Sequence, residues 1–121
     1  MPTLNAPAPS FNLFNTARQG VSLESLKGQT VILAFFPAAF TGVCQKELCT
    51  FNDSLSTLNA ASATVFGISV DGPFALSAFK TQNDIAFELL SDHARTATND
   101  YGVAVENFAG TGGYTVAQRS V

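Results

Sequence analysis

The run Thr30-Val31-Ile32-Leu33-Ala34-Phe35-Phe36 constrains this chain most. It is apolar from Val31 onward and rich in β-branched and aromatic residues, as a strand covered on both faces is. Such a strand belongs in a sheet with a layer on each side. Pro37 ends the run, Thr41 offers an N-cap, and Cys44, Leu48, Phe51, Leu55 and Leu58 then recur at steps of four, three, four and three, one face of a helix. With Thr41 as cap, Cys44 is the third helical residue and lies on the inward stripe. Unpaired N–H groups and the positive end of the helix dipole favour an anion there, and a capping-box glutamate often occupies that position. A cysteine thiolate can take the carboxylate's place.

Cys49 lies five residues on, about 140° around such a helix and about 7.5 Å further along its axis. Disulfides rarely tolerate Cα atoms more than about 7 Å apart, so a Cys44–Cys49 bond requires the first turns to unwind. Two readings stand side by side. The cysteines form a pair with a chemical cycle and a conformational step, or Cys49 is a small residue on the helix flank among Lys46, Asn52 and Asp53.

The rest of the chain alternates strands and helices. Phe11 to Ser22 reads as a hairpin turning at Asn15-Thr16-Ala17-Arg18-Gln19-Gly20, and Ser22 to Gly28 as a turn before the first central strand. After the cysteine helix come a strand over Thr64–Val70, a helix opened by Asp71-Gly72-Pro73 that presents Phe74, Ala78 and Phe79, and a strand over Phe87–Leu90. Asp92 can cap a short helix that stops near Tyr101-Gly102, where glycine suits a left-handed end. Ala109-Gly110-Thr111-Gly112-Gly113-Tyr114 is a loop, not a phosphate cradle, because it follows a helix and not a strand. The pattern predicts one α/β domain over residues 1–121, a sheet with helices on both faces. Most of the eleven phenylalanines then belong to the core, with Phe36 and Phe40 flanking the cysteine.

At 121 residues with 46% hydrophobic and 12% charged residues, the chain can bury a sizeable core, a composition that argues against disorder. A net charge of −3 without a Lys/Arg cluster argues against nucleic acid or an anionic membrane as partner. The N-terminal residues lack a basic start and an uninterrupted apolar stretch, and no segment approaches the roughly 18 apolar residues of a membrane span, so a cytoplasmic protein is expected. Two cysteines in one helix favour redox or catalytic use over a structural staple there.

The segment Pro37-Ala38-Ala39-Phe40-Thr41-Gly42-Val43-Cys44 resembles the P-x-x-x-T-x-x-C signature of peroxiredoxins. The C-x-x-x-x-C spacing resembles the Q-type, or bacterioferritin-comigratory, subgroup, and the surrounding phrasing is similar to the AhpE-like branch. The resemblance extends from Ala6–Phe11 through Gly67-Ile68-Ser69-Val70-Asp71 and Phe87–Asp92 to Tyr101-Gly102-Val103 and Arg119-Ser120-Val121. It implies a thioredoxin-like fold with an N-terminal β-hairpin and a central mixed sheet flanked by helices. It also implies a thiol peroxidase in which Cys44 attacks a peroxide, Thr41 holds thiolate and peroxide through its hydroxyl, and Pro37 shields the pocket. The resemblance further implies that Arg119 keeps Cys44 ionised, that Glu47 orients that arginine, and that Cys49 resolves the sulfenic acid into a disulfide. It implies recycling by a thioredoxin-like donor with no metal or organic cofactor, and a monomer or homodimer is expected.

Other chemistries fit less well. A cysteine hydrolase needs His93, the only histidine, to meet Cys44, and His93 reads as a surface residue near a helix start. Zinc held by Cys44, Cys49 and His93 has too few ligands, on different helix faces, for a closed structural site. A dithiol–disulfide exchanger is expected to carry C-x-x-C. A non-catalytic chain contributing only packing or association is the remaining alternative. It draws on one departure from the family, in which Arg119-Ser120-Val121 opens a strand followed by another strand and a closing helix. Those elements are missing here, so the expectation is a C-terminally incomplete domain, or a sheet edge covered by a partner chain.

Overall fold

The computed structural model describes residues 3–40, 42–54, 57 and 62–121, with the backbone alone for 43–45, 47 and 51. The apolar run forms β3 (Thr30–Phe35), after a hairpin of β1 (Asn12–Asn15) and β2 (Gly20–Ser22). Then follow α1 (Gly42–Asp53), β4 (Ala63–Ser69), α2 (Pro73–Gln82), β5 (Glu88–Ser91), α3 (Thr96–Asp100) and a small ribbon of β6 (Ala104–Val105) and β7 (Val116–Ala117). The main sheet has the order β2-β1-β5-β4-β3. β3, β4 and β5 are parallel, with Phe35 opposite Ile68 and Ile68 opposite Leu90, while β1 runs antiparallel to β5.

Local chemistry explains the turns. The Asn15 side-chain oxygen accepts from the N–H groups of Ala17 and Gln19, both at 3.0 Å, which closes the hairpin around the left-handed Arg18. The stretch after β2 is a 3-10 helix, Leu23–Leu26, capped by the Ser22 hydroxyl. Pro73 occupies the first turn of α2. Asp92 is buried and its two carboxylate oxygens accept from the N–H groups of Ala97 and Thr98 at 3.1 and 2.6 Å, so it caps α3 from four residues upstream. Gly102, with φ 67°, follows the end of that helix as expected.

The pleat divides the core in two. On one face, Leu13, Phe35, Phe66, Ile68 and Leu90 pack with Ala97, Tyr101 and Val103. On the other, Phe36, Val65, Phe87 and Leu89 pack with Leu48 of α1 and with Leu76 and Phe79 of α2. Helices therefore cover both faces, as the composition of β3 requires. The stripe expected for α2 is corrected: Phe79 is buried, but Phe74 is 70% exposed and Ala78 is exposed, and Leu76 faces the core instead. The Phe74 ring lies instead under the Arg18 guanidinium, 4.9 Å from its centroid. The β6–β7 ribbon was not expected; two-residue strands leave no periodic signal.

Candidate functional site

Where β3 ends, the chain turns toward α1 at the carboxyl ends of the parallel strands. Phe36 donates its N–H to the Ile68 carbonyl at 3.0 Å and is fully buried, its ring stacked on Phe79 at 6.2 Å. Pro37 is buried, and Ala39 donates its N–H to Asp71 Oδ2 at 2.7 Å. The same oxygen accepts the Ser69 hydroxyl at 2.7 Å, and the Ser69 hydroxyl oxygen accepts the Asp71 N–H at 3.2 Å. Ser91 donates its hydroxyl to the Asp71 carbonyl at 2.6 Å. Phe40 takes the left-handed conformation, φ 65°, with its ring edge-on to Phe79 at 5.2 Å and about half exposed.

α1 begins at Gly42, so Cys44 is its third residue, in the first turn. The side chains of Cys44 and Glu47, and Thr41 as a whole, lie outside the described residues. So do Leu55 and Leu58 of the expected helix face; Leu48, one turn beyond Cys44, is fully buried. Cys49 is a half-buried free thiol on the same continuous helix. Ideal helix geometry then puts the two cysteine Cα atoms roughly 8.6 Å apart, beyond disulfide reach. Asn52 is no solvated flank: it donates to the Asp84 carbonyl at 3.0 Å and accepts the Ala86 N–H at 2.7 Å, fastening α1 to the segment between α2 and β5.

Arg119 reaches the same end of the sheet. Ser120 exchanges both backbone hydrogen bonds with Phe35, at 2.8 and 3.1 Å, which sets the exposed Arg119 beside the strand that leads into Pro37. His93 is exposed, as expected of a surface residue, with Nδ1 3.3 Å from the Ser91 hydroxyl. Among the described residues no group of His, Cys, Asp and Glu is arranged to hold a metal, and no helix is long and apolar enough to cross a membrane. The sequence reading did not single out Asp71. Its signal was present: a short acidic side chain just past a buried strand, before Gly72-Pro73, at the level where α/β sheets build their sites.

Three parallel strands with an antiparallel hairpin beside β5, helices on both faces and a cysteine in the first turn after β3 define a thioredoxin-like fold. The match to known proteins is specific: the chain belongs to the AhpC/TSA family, which is matched over residues 4–121. It is 42% identical over 99 residues to a Coxiella burnetii relative named peroxiredoxin bcp, covering 82% of this chain and 66% of that one. It is 37% identical over 100 residues to the chloroplastic peroxiredoxin Q of Suaeda salsa, covering 83% and 47%. Among solved structures, peroxidoxin BcpB from Mycobacterium tuberculosis superposes with a TM-score of 0.82 at 27% identity, covering 93% of this chain and 71% of that one. Xanthomonas campestris peroxiredoxin Q gives 0.77 at 26%, covering 83% and 64%. The chain thus spans less than two thirds of the length of such curated relatives as the 60% match in Mycobacterium tuberculosis and the Suaeda salsa protein.

Proposed function

We propose that this chain is a thiol peroxidase acting on hydrogen peroxide or small organic hydroperoxides, with Cys44 as nucleophile. The observation that carries this reading is the position of Cys44, third in the helix that follows the parallel strand β3, in a chain of the AhpC/TSA family. The helix N-terminus favours the thiolate, and in this reading the backbone N–H groups around Val43 and Cys44 polarise a bound peroxide. The thiolate sulfur attacks one peroxide oxygen, the O–O bond breaks, and the departing oxygen leaves as water or alcohol after taking a proton. Cys44 is then a sulfenic acid. The Cys49 thiol condenses with it, forming the disulfide and releasing water, and a thioredoxin-like dithiol donor returns both thiols. Because both cysteines share one helix, condensation requires the first turns of α1 to open. In this scheme Thr41 holds the peroxide by its hydroxyl, Pro37 covers the pocket, and Arg119, oriented by Glu47, supports the thiolate. Pro37 and Arg119 lie beside the carboxyl end of β3, in keeping with those roles.

A mass spectrum of the reduced protein before and after one equivalent of hydrogen peroxide, with thiols counted, tests the proposal. Rapid loss of both thiols with a two-unit fall in mass is expected. Cys44→Ser abolishes the reaction, whereas Cys49→Ser stops at the sulfenic acid. No reaction in a folded sample, or equal loss of the first oxidation in both variants, rejects it.

A further inference from the structure

Asp71 belongs to no step of the proposed chemistry, yet it joins three parts of the molecule at the cysteine end of the sheet. Its Oδ2 accepts from the Ala39 N–H and from the Ser69 hydroxyl, each at 2.7 Å. Ser69 is fully buried at the end of β4, and Asp71's carbonyl is held by the hydroxyl of Ser91, the last residue of β5. The carboxylate therefore ties the turn out of β3 to the end of β4, and the Asp71 main-chain carbonyl ties the same residue to the end of β5. That turn contains Phe40 at φ 65°, a conformation that a bulky residue keeps only when its surroundings hold it. We propose that Asp71 is a positioning residue: it fixes the Pro37–Phe40 turn and with it the direction in which α1 presents Cys44, without touching the substrate. Both bonds converge on one oxygen, so an amide oxygen at that place can accept both, and the role requires an acceptor of this reach more than it requires the charge.

The positioning role of Asp71 rests on the peroxidase reading only in its kinetic arm. Three measurements on the full, reduced chain compare wild type with Asp71→Ala and Asp71→Asn. Hydrogen exchange at the Ala39 amide reads the tether. Oxidation of Cys44 by hydrogen peroxide and its alkylation by iodoacetamide, both resolved by peptide mass spectrometry, read the consequence. Iodoacetamide needs only an accessible, ionised thiol, so the ratio of the two rates separates aim from ionisation. Asp71→Ala is expected to exchange Ala39 about tenfold faster or more and to lose about tenfold in peroxide rate, while alkylation stays within about threefold. Asp71→Asn recovers most of both losses. Unchanged protection of Ala39 in Asp71→Ala overturns the proposal, as do equal losses in the two rates or no recovery in Asp71→Asn. If Asp71→Ala does not fold, Ser69→Ala replaces it, with a faster Ala39 exchange and the same rate ratio expected, and wild-type values overturning the proposal. A wild type inert to peroxide whose Ala39 amide is still released by Asp71→Ala refutes the peroxidase reading and upholds the tether.

Discussion

Replacing Gly67 by alanine puts one methyl group into the middle of β4, on the face that packs against α1 and α2. An added Cβ falls 2.7 Å from Leu89 Cδ2 and 3.4 Å from Phe36 Cε1 and Phe87 Cε2. The first distance is far inside van der Waals contact, and Leu89, fully buried between aromatic neighbours, has little room to retreat. Overpacking of this kind costs about 1–3 kcal/mol, offset by the 0.5–1 kcal/mol or so that alanine gains over glycine in a strand. Because the 2.7 Å approach is a deep overlap, the upper part of that range, about 2–3 kcal/mol, applies, and the net loss is about 1–2 kcal/mol. For 121 residues the unfolding entropy is about 0.25 kcal/mol/K, so the melting temperature falls by roughly 4–8 °C. Urea denaturation followed by far-ultraviolet circular dichroism measures this, and Leu89→Ala supplies the control. Alone, Leu89→Ala leaves a cavity and costs about 2–5 kcal/mol; together, the alanine methyl enters that space, so the double variant loses less than the sum. A Gly67→Ala protein within about 0.5 kcal/mol of wild type, or a strictly additive pair, refutes the packing argument.

Tyr101 is buried and donates its hydroxyl to the Pro9 carbonyl at 2.6 Å; burial, and secondarily the Asp100 carboxylate, raise its pKa above the ordinary 10.0. The folded state thus holds the proton more tightly than the unfolded chain, so this stabilisation is complete below about pH 10 and is lost as pH rises through the raised value. Tyr101→Phe costs about 1 kcal/mol at pH 7 and flattens the fall in stability above pH 10 or so, and an unchanged alkaline limb contradicts it. Asp92→Ala orphans the amides of Ala97 and Thr98 and is expected to cost about 2–3 kcal/mol by urea titration, with Asp92→Asn recovering part; a loss below about 0.5 kcal/mol denies the cap its role. Asn52→Ala releases α1 from Ala86 and Asp84, costs about 1 kcal/mol and quickens disulfide formation after peroxide addition; a slower disulfide contradicts the view that α1 must open.

The sequence made the scaffold legible where local chemistry and burial agree. β3 was visible because both of its faces are apolar, the hairpin because Asn15 and Gly20 bracket a polar turn, and α3 because Asp92 precedes it at capping reach. The phase of α2 was misread because Phe74 looks like a core residue, whereas its ring is used on the surface under Arg18. At the site, the motif located Cys44 on its helix and Pro37 at the turn, but the partner of that turn lies 32 residues away in sequence and was missed. A carboxylate after a strand has no periodicity of its own; only the parallel register of β3 and β4 brings Asp71 to Ala39. Asn52 was missed for the same reason, since a polar residue on a helix flank reads as solvated until the segment it binds has been placed.

The position of β1 beside β5 also bears on how the chain must be made. Asn15 donates to Glu88 across 73 residues of sequence, so the hairpin leaves the ribosome long before the strand it joins. At about 5–20 residues per second, roughly 4–15 s separate the two. During that interval the hairpin is a two-stranded ribbon, marginally stable at best, with Leu13 uncovered and one edge of β1 open. The nascent chain is therefore open to pairing with a wrong partner at this hairpin, and slower translation between β2 and β5 lengthens the exposure.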